Sequence, residues 1–149
     1  MNNGTWQIKT FDELTTQELQ KIYYLRTEVF VVEQKCPYQE VDNLDLVAKH
    51  LWYENETGEI LAYLRIIPAG AQFDAIAIGR VLVKQTARGA GLARQLFQHG
   101  LDQVSCHTVQ IEAQYYLREF YKSFGFVEIS EQFLEDGIPH VAMVRKVHD

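Results

Sequence analysis

The stretch "VLVKQTARGAGLARQLFQHGL", residues 81 to 101, passes from β-branched residues through a small-residue hinge into a helix-patterned segment. Two of the chain's nine glycines, Gly89 and Gly91, fall in that hinge between Arg88 and Ala93. The first amides of a helix have no carbonyl partner inside it, and the aligned peptide dipoles place partial positive charge there. A hinge of Gly89, Ala90, Gly91, Leu92 and Ala93 keeps bulk away from those amides, so a phosphate can approach them, and Arg88 adds a cation at the rim. The same glycines also suit a tight strand-to-helix turn that holds nothing. Two other phosphate motifs do not fit. A Walker loop requires Gly-Lys followed by Ser or Thr, whereas Gly91 precedes Leu92 and Ala93. A dinucleotide fingerprint requires a third small residue where Arg94 stands.

A second group of charged residues lies upstream. Arg26 falls on the helical stripe of Leu19 and Ile22, seven residues after Leu19 and seven before Glu33, which puts a cation on the inward face. With Glu33, Glu40, Asp42 and Asp45 it suggests an acceptor pocket, in which acids hold a cationic amine and the arginine orients those acids or a substrate carboxylate. An ion-pair network on a solvated face accounts for the same residues. Calcium ligation does not fit, because Leu44 takes a ligand position in "DNLD" and no EF-hand glycine follows. His50 and His140 stand among apolar strand residues, where either can relay a proton near neutrality or serve the packing. The two cysteines, Cys36 and Cys106, are far apart and outside any CxxC pair, so neither a metal site nor a disulfide framework is expected.

The elements that must position these groups follow from periodicity. Thr15 and Glu18 form a capping-box signature with Leu14 and Leu19 as its staple, and Leu19, Ile22, Tyr23, Val29 and Phe30 continue at helical spacing. "TWQIKTF" reads as an opening strand, "VAKHLWYE" and "EILAYLRIIP" as a hairpin about "NETG", and "AIAIGRVLVK" as a further strand. After the hinge, Leu92, Leu96, Phe97, Leu101 and Val104 form one apolar helix face. "TVQIEA" alternates, with Val109, Ile111 and Ala113 on one side and Gln110 and Glu112 on the other. Leu117, Phe120, Tyr121 and Phe124 mark a last helix that stops at Gly125, and "FVEISEQFL" with "IPHVAMVRKV" closes the chain as a hairpin about "EDG".

The order β-α-β-β-β-α-β-α-β-β places the chain in the α+β class: a mixed, mostly antiparallel sheet of about seven strands with helices on both faces. Its 149 residues carry no repeat or linker, so one domain over 1–149 is expected. A net charge of -6 argues against nucleic acid as a partner and mildly favours cationic ones. The apolar stretches fall short of a membrane span, and "MNNGTWQIKT" lacks an export signal, so a soluble cytoplasmic protein with no membrane partner is expected.

With Arg88, Gly91 and Ala93 in the order R-x-x-G-x-A after a strand, "RGAGLA" resembles the acetyl-CoA signature of the GNAT N-acetyltransferases. "FYKSFGF" is similar to the later GNAT motif, in which a helix tyrosine precedes a small turn and a strand; "LRTEVFVVEQKCPY", "YLRI" and "EDGIPHVAM" resemble the ElaA-like branch of that superfamily. The resemblance spans nearly the whole chain. It implies a GNAT fold, acetyl-CoA as cosubstrate without a metal, and a small-molecule or peptide amine that attacks directly in a ternary complex. By the same carry-over, Val81, Leu82 and Val83 line the pantetheine arm, and Arg88, Gly89, Ala90, Gly91, Leu92 and Ala93 hold the pyrophosphate.

Amides at Leu82 or Val83 would then polarise the thioester carbonyl. The resemblance makes Tyr121 the acid that protonates the departing thiolate, whereas spacing alone fits a core tyrosine beside Leu117, Phe120 and Phe124. Glu112 stands where some GNAT enzymes carry a glutamate base, although spacing alone makes it a solvated strand residue; the "EDGIPH" match makes His140 the alternative base. Two other functions fit part of the pattern. One is a non-catalytic acyl-CoA-binding regulatory module in which Tyr121 only packs. The other is an acyl-homoserine lactone synthase-like enzyme, which Arg26, Phe30, Glu40, Asp42 and Asp45 faintly resemble. A sheet edge leaves a homodimer open.

Overall fold

Apolar alternation along the strands decides which helix covers which side of the sheet. The computed structural model describes residues 4–147. Strands β1 (Thr5–Thr10), β2 (Lys49–Glu54), β3 (Ile60–Ile67), β4 (Ile76–Val83), β5 (Val109–Gln114), β6 (Val127–Glu128) and β8 (Ile138–Arg145) form one sheet in the order β1-β2-β3-β4-β5-β8-β6, and β7 (Phe133–Glu135) pairs with β8. Among the described residues only β4 and β5 run parallel; every other pairing is antiparallel. On β3, Ala62, Leu64 and Ile66 face the core with Leu92, Leu96, Phe97 and Leu101 of α2 (Leu92–Asp102). Tyr63, between them, points the other way with Trp52 and Leu82 and meets Ile22 and Leu25 of α1 (Thr16–Arg26). The two helices therefore cover opposite faces, as the period-2 pattern requires.

Three local outcomes follow from particular side chains. The capping box forms as expected: Glu18 N–H donates to Thr15 Oγ1 at 3.1 Å, and Thr15 N–H donates to Glu18 Oε1 at 2.9 Å. The expected α-helical run past Arg26 instead winds as a π-helix over Thr27–Glu33, where Thr27, Val29, Val31 and Val32 crowd a regular α-turn with β-branched side chains. The expected single strand "FVEISEQFL" is two, β6 and β7, so the described residues form eight strands, in keeping with the mostly antiparallel sheet of about seven that was expected. Ser130 causes the break. Its Oγ accepts the Ala142 N–H at 3.0 Å, replacing the backbone carbonyl that a continuous ladder would offer.

β4 separates from β5 almost as soon as they meet. Their pairing is confined to Ile76 with Val109 and Ala77 with Gln110. Against β3, Arg65 pairs with Gly79 and Tyr63 with Leu82, so Leu64 faces both Arg80 and Val81: a β-bulge, with Arg80 in the left-handed region at φ 52°. An extra residue bends the bulged strand. β5 meanwhile continues against β8 through Gln114, and the two strands diverge.

Phe97 of α2 locks this arrangement to α3 (Arg118–Lys122), with ring centroids 5.1 Å from Tyr121, 5.0 Å from Phe124 and 5.7 Å from Phe126. Phe97→Ala is expected to lower the unfolding free energy by about 3–5 kcal/mol in urea titrations. A loss below about 1 kcal/mol would contradict the packing described.

Candidate active site

The divergence of β4 from β5 opens a cleft of about 660 Å³. Val81, Leu82 and Val83 line one wall and Ile111, Glu112 and Gln114 the other, so the expected pantetheine-lining segment does border the cavity. Past Ala77 the edge of β4 that faces the cleft has no strand partner, and backbone groups there are open to a ligand. Val83 already uses one of them: its carbonyl accepts Arg88 Nε at 2.9 Å.

The hinge stands at one end of this cleft, where Arg88 and Ala93 contribute to the lining. Gly89 and Gly91 adopt φ 92° and 80°, and Gly91 is the N-cap of α2 with no side-chain cap. Among the described residues, the amides of residues 89–94 have no backbone carbonyl partner. A Cβ added to either glycine would meet nothing within 4 Å, so both are required by backbone conformation and not by crowding. The open room beside bare amides suits a diphosphate. Arg88 and Glu33, expected to meet different ligands, meet each other: Nη1 lies 2.6 Å from Oε2 and Nη2 3.0 Å from Oε1. The π-helical winding after α1 is what carries Glu33 to the cleft.

Tyr121, Glu112 and His140 all line the cleft. The Tyr121 ring is buried against Phe97, Phe120 and Phe126, and burial pushes its phenol well above the ordinary value, so it is protonated throughout the neutral range. Its hydroxyl makes no hydrogen bond among the described residues, unlike an ordinary core tyrosine. Glu112 and His140 share one face of the β5–β8 pair, since Glu112 lies opposite Ala142 and Gln114 opposite His140. Burial first, then a hydrogen bond and like charge from Glu135, push the Glu112 carboxyl up to about 7. His140 Nδ1 donates to the Ile138 carbonyl at 2.7 Å, which turns Nε2 toward Glu135 Oε2 at 3.6 Å. Glu135 belongs to the "EDG" turn and was not among the expected site residues; a second carboxylate next to His140 on the closing hairpin was its only signal.

Of the expected acceptor group, Glu33 and Asp42 line the cleft, whereas Arg26 and Asp45 do not and are 0% and 1% exposed. Arg26 Nε donates to Glu40 Oε1 at 2.7 Å and Nη1 to Asp45 Oδ1 at 2.7 Å. Arg65 Nη1 donates to Asp42 at 2.6 Å and to Asp45 at 2.9 Å, and Arg80 binds Glu40. Burial alone would raise the Asp45 carboxyl, but its bonds to Arg26 and Arg65 outweigh that and hold it below the usual range. This is the ion-pair network, with Arg26, Arg65, Glu40 and Asp45 buried and Arg80 and Asp42 half-buried at the cleft. Arg65 and Arg80 were absent from the expected site, although each is a lone cation in an apolar strand run. His50 completes the network as a neutral ring, its charging opposed by burial: Nε2 donates to the Asp45 carbonyl at 3.0 Å, and Nδ1 accepts from the Tyr63 hydroxyl at 2.6 Å. Among the described residues there is no metal-binding group of His, Cys, Asp and Glu and no helix long and apolar enough to cross a membrane.

Known proteins share this architecture. The family model for the acetyltransferase (GNAT) domain matches residues 12–147. A UPF0039 protein of Schizosaccharomyces pombe is 43% identical, with 96% of this chain and 97% of the relative covered. Among solved structures, an acyl-CoA N-acyltransferase from Pseudomonas aeruginosa superimposes with TM-score 0.91 at 44% identity, covering 96% of this chain and 99% of its own. ElaA of Escherichia coli superimposes with TM-score 0.89 at 36% identity, covering 96% and 99%.

The raised Glu112 carboxyl has a consequence for stability. Its folded value of about 7 lies above the ordinary 4.5, so the fold favours the protonated form, and stability is lost as pH rises between these values. Glu112→Gln is expected to match the natural protein at pH 4.5 and to melt at higher temperature at pH 8. Equal melting temperatures at both pH values would show that the carboxyl is not strained by its surroundings.

Proposed function

The chain belongs to the GNAT acetyltransferase family, and on that premise we propose that it transfers an acetyl group from acetyl-CoA to an amine by direct attack in the β4–β5 cleft. The observation that carries this reading is the continuity of bare hinge amides with a cleft that also contains an unpartnered tyrosine hydroxyl. Acetyl-CoA, when bound, supplies the thioester carbonyl and the thiol leaving group. The amides of residues 89–94, with Arg88, hold its diphosphate, and Val81 and Val83 turn backbone groups toward its pantetheine arm, with Leu82 between them paired to β3. The open amide of Val83, and not that of Leu82, whose backbone faces Tyr63 of β3, stabilises charge that develops on the carbonyl oxygen.

A protonated amine cannot attack, so Glu112 removes its proton, with Glu135 and His140 beside it to pass that proton toward solvent. A base that titrates near about 7 is unprotonated for a large share of the time at neutral pH and is still a competent acceptor. Tyr121 keeps its proton because the ring is buried, and delivers it to the departing sulfur. Glu33 and Asp42 are neutralised by Arg88 and Arg65, but the carboxyls of Glu112 and Glu135 have no arginine partner among the described residues and favour a cationic acceptor, small molecule or peptide. Arg26 and Asp45 act on that acceptor only through the walls they support.

An amine panel with acetyl-CoA, read by CoA release and product mass, tests the reaction itself. Amine-dependent CoA release is expected. Binding of acetyl-CoA with no release for any amine would favour the non-catalytic module. For the best acceptor, Tyr121→Phe is expected to lower kcat by about 10²-fold or more while acetyl-CoA affinity stays the same; unchanged turnover would remove Tyr121 from the chemistry. The rate should rise with pH up to about 7 as Glu112 loses its proton. Glu112→Gln should lower the rate and abolish that limb of the profile, and a retained limb would assign it to another group.

A further inference from the structure

The bulge residue of β4 is an arginine where glycine would be free of strain. Arg80 sits at φ 52°, a conformation that L residues avoid and that persists only when the surroundings fix it. Its own side chain does the fixing. Arg80 Nε donates to Glu40 Oε2, and Nη2 donates to the Glu40 carbonyl at 2.8 Å. Glu40 is in turn held from the other side by the fully buried Arg26, through Nε to Oε1 at 2.7 Å and Nη2 to Oε2 at 3.1 Å. One carboxylate therefore bridges a guanidinium at the end of α1 and a guanidinium on the bulge. Arg65, opposite Gly79 on the near flank of the bulge, is tied to the same loop through Asp42 and Asp45.

We infer that Glu40 is a positioning residue for acyl transfer: by clamping Arg80 it fixes the bulge and so aims the open backbone groups of Val81 and Val83 into the cleft. The inference rests on the acyl-transfer reading for its kinetic consequence, but its structural content stands apart from it. Glu40 does not line the cleft, whereas Arg88 and Ala93 of the hinge do, and its carboxylate is occupied by Arg26 and Arg80. Loss of the clamp should therefore act on the chemical step and leave acetyl-CoA binding alone.

The test compares Glu40→Gln, Arg80→Gly and the double variant. Arg80→Gly relieves the backbone requirement while removing the tether, and serves where Glu40→Gln leaves buried Arg26 too poorly matched to fold. Each single variant is expected to lose at least about tenfold in kcat, with the KM for acetyl-CoA within about twofold of the natural protein. The double variant should lose no more than the worse single one, because both cut the same link. A kcat within about twofold of the natural protein in a folded variant, or losses that multiply, would overturn the inference. If the natural protein itself shows no turnover, the acyl-transfer reading fails, and the clamp is judged by NMR. The ¹⁵N amide shifts of residues 80–83 should move in either single variant while those of residues 89–94 stay in place; unmoved shifts at 80–83 would overturn it.

Discussion

An arginine held in a left-handed turn by a carboxylate forty positions earlier in the chain is what keeps the centre of the sheet open. Without the extra residue at Arg80, β4 would run straight beside β5, and side chains of the two strands would close over the space where the cleft lies. The restraint draws on segments remote in sequence: Arg26 from α1, Arg65 from β3, Arg80 from β4, and Glu40, Asp42 and Asp45 from the loop between α1 and β2. Each buried cation is matched by a carboxylate. That balance matters because removing one member of such a set leaves an uncompensated charge in a low dielectric, whereas the intact set specifies one geometry.

The cleft that results has chemically distinct regions. Bare amides and Arg88 stand at the hinge, and the carboxyls of Glu112 and Glu135 line the opposite wall beside His140. An acidic protein can in this way present local positive potential to a diphosphate and negative potential to an amine. Tyr121 is contributed by α3, whose packing on Phe97 ties it to the same helix α2 whose N-terminus forms the hinge. The core and the site therefore share their anchor.

Features that depend on neighbours in sequence could be read in advance. The Thr15–Glu18 box, the apolar face of α2 and the alternation of β5 all form as their spacing indicates, because each depends on residues within two turns or one strand. The hinge could be recognised for the same reason. Features set by distant partners could not. Nothing near Arg80 announces a bulge, since its partners Glu40 and Asp42 lie far back in the chain. The Arg26 stripe correctly signalled an inward charge, but only the fold shows that it faces Glu40 and Asp45 and not the cleft. Ser130 splits a strand by an oxygen that spacing treats as merely polar, and Glu135 looks like part of a turn until the closing hairpin brings it to Glu112.

The most direct measurement is a crystal structure of the protein with CoA. The account places the diphosphate within hydrogen-bonding distance of the amides of residues 89–94 and the pantetheine arm between the separated ends of β4 and β5. A diphosphate bound elsewhere, or a β4 that closes against β5 in the complex, would contradict it.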